Sequence, residues 1–208
     1  MKSVKSYQQS INKVLRCWKN GEYKDALRLV DGLLAEWPGN ARLHVLWANL
    51  VQLQDETEYT LTEAKQALIR ATALDDDSPA GHLELGHFLN AVQDNPGEAA
   101  AAFSRAAEVA RRQLIDALLG QAGALVELRS RDAAWKCLEE AIRLLNASSP
   151  GDEQDTEDGE TDFAIRDTSG RIIEVRLQGP FSDRVRDLLH ELCSHARPKQ
   201  ILRCRPSE

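Results

Sequence analysis

The sequence predicts a mainly α fold, an α-solenoid of antiparallel helix pairs with a short C-terminal β-hairpin plus helix. Three observations predict it. Apolar residues recur with a helical period along residues 1–146. Turn-forming stretches such as WPGN, DDDSP and QDNPGE divide this region into segments of about 12 to 16 residues, the length of helices in a helical hairpin. The segments also resemble one another.

An alanine recurs in the second helix of each predicted pair. Successive copies are separated by 38, 35 and 35 residues, and the four are Ala26, Ala64, Ala99 and Ala134. A larger apolar residue follows each alanine four positions later. A small side chain lets a neighbouring helix approach closely, and the larger one fills the space beside it. The near-constant interval favours a tandem array over a helical bundle without repeats.

The first helix of each pair follows the same logic, with Ala48, Gly86 and Ala122 at matching positions. Leu85 and Leu89 flank Gly86, so apolar contacts are expected on both sides of the glycine. Packed helix axes lie about 8 to 10 Å apart, and a bulky side chain at the contact would prevent that approach. These small residues are therefore predicted to be helix-to-helix contact points.

The repeat resembles the tetratricopeptide family, whose pattern of about 34 residues combines W-x2-L-G-x2-Y with A-x3-F and a closing proline. The stretches HVLWANLV, HLELGHFL and LLGQAGAL stand in for the first half of that pattern. The chain departs from this pattern at two positions. Val14 stands where a small residue is usual, and Asp76 stands where the pattern has its closing proline, a position that Pro38 occupies in the preceding unit. The resemblance implies a right-handed solenoid of about four repeats over residues 1–146 that binds other proteins.

The resemblance also implies which residues would line the concave groove formed mainly by the first helices. These candidate partner-binding residues are Arg42, Val45, Asn49, Gln52, Leu83, His87, Asn90, Leu119, Gly123 and Val126. The amides of Asn49 and Asn90 can donate and accept hydrogen bonds, which suits recognition of a main chain. Val45 stands where family members that clamp a C-terminal carboxylate have a lysine, so a chaperone-tail ligand is not expected. A partly apolar ligand, such as an amphipathic helix, is predicted instead.

The composition changes after residue 146. Residues 147–162 hold seven carboxylates and no base, which predicts a flexible acidic linker. In residues 163–208, two β-rich runs on either side of residues 167–170 predict a hairpin. Ser182 is a predicted N-cap of a helix. The apolar stripe of that helix is Val185, Leu188, Leu189 and Leu192.

Three arrangements of residues 163–208 are compatible with the sequence. The segment could be a small ββα module with residues 200–204 as a third strand, it could cap the last repeat, or it could compete for the groove. Capping is preferred, because the last unit of a solenoid needs a polar outer face and the fourth repeat ends in the apolar stretch AIRLL.

The formal charge of −7 is concentrated in the acidic linker, which leaves residues 1–146 nearly neutral. A nucleic-acid-binding protein would normally carry a basic stripe, so that class is not favoured. No apolar stretch is long enough to span a membrane, and the first residues lack the apolar core of a signal peptide. These features predict a cytoplasmic protein, and the four cysteines, which form no CxxC pair, are expected to be reduced thiols.

The sequence offers few residues that could carry chemistry. His190, Cys193 and His195, with Cys204 nearby, suggest a zinc site, but on a helix His195 points more than about 100° away from His190. His82 and His87 have no nucleophile at a readable spacing. The sequence therefore predicts a non-enzyme without cofactor or metal, an adaptor or co-chaperone-like scaffold.

Two other functions stay open. The C-terminal ββα segment could be the functional unit, contacting nucleic acid or regulating an enzyme subunit, with the repeats as a mount. Its basic surface would consist of Arg166, Arg171, Arg176, Arg184 and Arg186. Alternatively, the outer faces of the helices could mediate homo-oligomerisation, for example as a homodimer.

Overall fold

The computed structural model describes residues 4–54, 58–147, 163–166, 172–175, 180–193 and 201–204, and the side chains of 7–54, 58–147 and 180–192. The predicted turn at 167–170 and His195 lie outside the described residues, as does nearly all of the predicted acidic linker. The predicted linker therefore stays a prediction.

The described residues form eight helices and three short strands. The helices are α1 (Val4–Lys19), α2 (Tyr23–Glu36), α3 (Ala41–Gln52), α4 (Leu61–Leu74), α5 (Pro79–Ala91), α6 (Pro96–Glu127), α7 (Arg131–Asn146) and α8 (Ser182–Cys193). The strands are β1 (Phe163–Arg166), β2 (Ile172–Val175) and β3 (Ile201–Cys204). The chain divides into two compact units, Met1–Ala110 and Arg111–Glu208, and the division falls within α6 rather than at residue 146.

Local sequence explains why the helices of the first unit begin and end where they do. Gly21 has a φ of +78°, which glycine adopts without strain, and it ends α1. Asn40 caps α3 by accepting a hydrogen bond from the amide of Leu43 at 3.3 Å. At the start of α4, Thr60 and Glu63 form a capping box in which each side chain accepts from the other's backbone amide. The predicted breaks are therefore helix boundaries.

The small residues of the repeat are buried in the first unit, as predicted. They are Ala26, Ala48, Ala64, Gly86, Ala99 and Ala106. Gly86 shows why small size matters there, because a Cβ added to it would lie 2.7 Å from Cδ1 of Phe103. Carbon atoms that close repel strongly. The ring of Phe103 packs where the side chain of a larger residue would need to be.

A polar contact recurs in successive hairpins of the first unit. The Nε2 atom of His44 lies 2.8 Å from the carbonyl oxygen of Pro38, and that of His82 lies 3.2 Å from Oδ1 of Asp76. Both imidazoles reach back six residues to the loop before their helix. Both histidines are largely buried, so these hydrogen bonds satisfy ring nitrogens that water does not reach. These two histidines thus connect each first helix to the loop before it.

The second unit has its own apolar core, formed by α7, α8 and the part of α6 within this unit. The predicted stripe of α8, from Val185 to Leu192, is buried in the same cluster as Ala122, Ala134 and Leu138. Arg184 of α8 forms an ion pair with Asp116 of α6. The amphipathic helix predicted after the acidic linker is thus confirmed, and it packs against the last helical hairpin.

No break separates the second helix of the third repeat from the first helix of the fourth, because α6 runs through both as one helix of 32 residues. No glycine or proline interrupts the sequence between Glu108 and Leu119, so no helix breaker ends the helix there.

The predicted fold class is wrong about the C-terminal β-hairpin. All residues with described side chains are in helices, turns or loops, and none of them is in a strand. The backbone of β1 pairs antiparallel with β2 and also with β3, which gives a sheet of order β2-β1-β3 in place of a free-standing hairpin. A lone two-stranded hairpin is marginally stable in water, and a third strand covers its open edge.

Candidate partner-binding surface

Helices α3 and α5 lie close together in the first unit, and a side-chain hydrogen bond joins them. Nδ2 of Asn49 donates to Oε2 of Glu84 at 3.2 Å. Each of these helices is the first of its hairpin, so the bond runs between equivalent elements of neighbouring repeats. Stacking of this kind aligns the remaining side chains of the two helices on a shared face.

Seven of the ten predicted groove residues belong to these two helices. We call this set the α3–α5 face: Arg42, Val45, Asn49, Gln52, Leu83, His87 and Asn90. Leu83 is 41% exposed. Arg42, His87 and Asn90 are also exposed, and the remaining three are half-buried. The face therefore combines one exposed leucine with cationic, amide and imidazole groups.

Several polar groups of the α3–α5 face already have partners. Nε2 of Gln52 donates to the carbonyl oxygen of Ala48 at 3.1 Å, and Asn49 donates to Glu84. The ring of His87 packs edge-on against Phe103, with 5.1 Å between ring centroids. These contacts hold Gln52, Asn49 and His87 in place, which lowers the entropy that a bound partner would have to remove.

Arg42 stands at one end of this face, where it lines a pocket of about 600 Å³. The loop between α2 and α3 and the end of α4 form the rest of the pocket, with Trp37, Leu74 and Asp75 among its walls. Trp37 is held by an edge-on contact with Tyr7, with ring centroids 5.0 Å apart. An aromatic wall beside a cation and a carboxylate can hold a mixed polar and apolar side chain.

The three remaining predicted groove residues lie in the second unit. Gly123 and Val126 are half-buried there. Leu119 is 1% exposed and belongs to the apolar core of that unit, so its assignment to a partner-binding surface is wrong. The helical period identifies which face a residue occupies, but it does not reveal that α7 and α8 contribute a core around Leu119.

Leu15 of α1 is an apolar residue that the predicted groove set did not include, and it is 51% exposed. Leu15 follows Val14 as Asn49 follows Ala48 and His87 follows Gly86. Val14 is fully buried, although it is larger than the alanine and glycine at the matching positions. Aligning α1 on Val14 would therefore have identified Leu15 from the sequence.

His82 and His87 make different contacts, although both flank Gly86. His82 bonds to Asp76, which also accepts a hydrogen bond of 2.6 Å from Nη2 of Arg105. The Arg105 guanidinium and, to a lesser extent, the His82 imidazole hold the pKa of the Asp76 carboxyl below its usual value of 3.8. The carboxylate is therefore a structural link between the loop before α5 and helix α6.

In the described part of the chain, no group of three His, Cys, Asp or Glu residues is placed to hold a metal ion. Cys17 and Cys137 are free thiols. Of the five arginines of the predicted basic surface, the two with described side chains each pair with a carboxylate: Arg184 with Asp116, and Arg186 with Asp183 at 3.6 Å. Among the described helices, none is long and apolar enough to cross a membrane.

Comparison with known proteins gives partial matches. No protein-family model matches the chain. Over 94 residues it is 38% identical to "Uncharacterized 18.1 kDa protein in carS 3'region" of Myxococcus xanthus, a match that covers 45% of this chain and 55% of the relative. It is 28% identical to the solved structure of MamA, residues 41 to the end, from Desulfovibrio magneticus RS-1, with a TM-score of 0.44. That match covers 50% of this chain and 56% of the other. The chain thus spans about half the length of each.

Proposed function

We propose that this protein is a non-catalytic interaction scaffold whose α3–α5 face binds a segment of a partner protein. The observation that carries the proposal is the hydrogen bond between Asn49 and Glu84, which sets two equivalent helices side by side. Leu83, His87 and Asn90 stay exposed on the resulting face. Adaptor surfaces of repeat proteins are built in this way, from equivalent helices of successive repeats.

The chemistry of the face favours a partner segment with both apolar and polar groups. Leu83 offers the largest exposed apolar surface, and Val45 adds half-buried apolar surface on the neighbouring helix. The Asn90 amide can both donate to and accept from a main chain or a polar side chain. An amphipathic helix or an extended peptide with one bulky apolar residue satisfies these groups. A cytoplasmic location, as predicted from the sequence, is part of this proposal.

The test compares two variants with the same chemical change in the same unit. Leu83→Asp places a charge on the α3–α5 face, while Ile69→Asp does so on α4, where Ile69 is 47% exposed. The unmodified chain is first used to capture a partner protein from the native cell, and this partner is identified and purified. The affinity of each variant for the purified partner is then measured by calorimetry. We expect Leu83→Asp to weaken binding by about tenfold or more, as loss of an apolar anchor does.

Asn90→Ala should weaken the same complex, and Ile69→Asp should leave its affinity unchanged. Equal affinities for all three variants and the unmodified chain would show that the partner binds elsewhere. Equal losses for Leu83→Asp and Ile69→Asp would show that the added charge, and not the α3–α5 face, is responsible. Circular dichroism establishes that each variant keeps its helical content.

A further inference from the structure

Helix α1 has exposed side chains along one face, judged from the described residues. We call the following exposed residues the α1 face: Gln8, Gln9, Asn12, Lys13, Leu15, Arg16 and Lys19. The opposite side of α1 is buried, with Val14 and Cys17 in the core of the first unit. The exposed residues fall on one side of the helix at its 3.6-residue period.

The next repeat shows what the equivalent positions do when another hairpin precedes them. Val14 corresponds to Ala48, so Lys13 and Arg16 of α1 correspond to Trp47 and Leu50 of α3. Trp47 and Leu50 are both buried, in the core that α3 shares with the first hairpin. Lys13 and Arg16 are thus the polar counterparts of two residues that, one repeat later, pack in a core.

The charge of this face has one sign. Lys13, Arg16 and Lys19 are exposed, and helix α1 contains no aspartate or glutamate between Val4 and Lys19. None of the three cations forms an ion pair with a carboxylate among the residues with described side chains. The nearest acidic residues along the chain have other contacts: Glu22 accepts from Asn20, and Asp25 pairs with Arg28.

Solubility alone does not account for this pattern. A capping surface that only keeps the end of an array in solution works well with both signs of charge interspersed and without a large exposed apolar residue. Here, Leu15 lies at one edge of the row of cations, about 40° around the helix from Lys19, with half of its surface exposed. A row of cations beside an exposed leucine is complementary to a helix that carries carboxylates beside an apolar stripe.

We propose that the α1 face docks an acidic amphipathic helix of a partner protein. Carboxylates of that helix meet Lys13, Arg16 and Lys19, and its apolar residues pack on Leu15. The exposed leucine favours a helix with an apolar stripe over a nucleic acid, and a face with one large apolar residue offers too little area for a lipid surface. None of the α1-face residues belongs to the α3–α5 face, although Leu15 matches Asn49 and His87 in the repeat.

The experiment uses the full-length chain and a fluorescently labelled helical peptide with glutamates and leucines on adjacent faces. Binding is measured by fluorescence anisotropy at low and high salt. Three further probes are the same peptide with every glutamate replaced by glutamine, a single-stranded RNA oligonucleotide, and vesicles that contain an anionic phospholipid. We expect the acidic peptide to bind most tightly, with an affinity that falls as salt rises.

Two triple variants with equal changes in net charge localise the site. Lys13→Gln with Arg16→Gln and Lys19→Gln should weaken binding of the acidic peptide by about tenfold, the combined effect of three exposed ion pairs. The control, Lys24→Gln with Arg28→Gln and Arg70→Gln, removes three exposed cations from α2 and α4. It should leave the affinity within about twofold of the unmodified value.

Leu15→Asn tests the apolar contact separately and should weaken binding without changing its salt dependence. Equal losses in the two triple variants would overturn the proposal, because net charge alone would then explain binding. Tighter binding of the neutral peptide, the RNA or the vesicles would overturn it as well. Leu83→Asp should not change the affinity for the acidic peptide, so failure of this proposal and failure of the scaffold proposal give different results.

Discussion

Replacing Gly86 by alanine tests whether close helix packing holds the first unit together. Glycine in the middle of a helix is unfavourable, and alanine there normally stabilises a protein by about 1 kcal/mol. In this structure the new Cβ would lie 2.7 Å from both Cδ1 and Cε1 of Phe103 and 3.0 Å from Cζ. That is roughly 1 Å shorter than an ordinary contact between carbon atoms. The ring or the helix must move.

The two effects oppose each other, and their magnitudes decide the sign. Overpacking a filled site costs about 1 to 3 kcal/mol, which exceeds the gain in helix propensity. We therefore expect Gly86→Ala to lower the free energy of unfolding by about 1 kcal/mol. Gly32 of α2 provides the matched control, because a Cβ added there meets nothing within 4 Å. Gly32→Ala should raise the free energy of unfolding by about 1 kcal/mol.

Urea denaturation followed by circular dichroism measures both changes as shifts of the transition midpoint. A third variant combines Gly86→Ala with Phe103→Leu, which removes the ring from the contact. Its loss should be smaller than the sum of the two single losses, because the two residues are in contact. If Gly86→Ala stabilised the protein as much as Gly32→Ala, the reasoning from close approach would be refuted.

Two further predictions concern carboxylates in the first unit. Asp31 accepts hydrogen bonds from the Trp47 indole at 2.7 Å and the Tyr59 hydroxyl at 3.1 Å. Asp31→Ala should therefore lower the free energy of unfolding, measured by urea denaturation, by about 1 to 3 kcal/mol. An unchanged free energy of unfolding would contradict this prediction. The pKa of the Asp76 carboxyl is lower in the folded chain than the value of 3.8 that it has in the unfolded chain. Its contribution to stability is therefore present above pH 3.8 and is lost as the pH falls through the lower pKa of the folded chain. Urea midpoints are measured above and below pH 3.8. The fall in midpoint on acidification should be smaller for Asp76→Asn and for Arg105→Gln than for the unmodified chain. An equal fall would contradict a stabilising contact between Asp76 and Arg105.

The positions of the contact residues could be predicted because they depend on volume and spacing. Ala64, Ala99 and Ala134 recur at nearly equal intervals, and each is buried in the structure. The stripe of α8 could be predicted for a similar reason, since four leucine or valine residues at helical spacing need an apolar surface to cover them.

The candidate surface was predicted less completely, because exposure depends on what covers each helix. Leu83 and Leu119 occupy matching positions in successive first helices, yet one is exposed and the other is in a core. Nothing in their spacing distinguishes them.

The sequence by itself therefore determined the helical period, the repeat interval and the small residues at which helices meet, since each follows from the size and spacing of neighbouring side chains. Only the tertiary structure decided that α6 continues as one helix, that Leu119 is buried and that Asn49 bonds to Glu84. Those outcomes depend on which surfaces come together in space, and residues far apart in the chain contribute to every such surface.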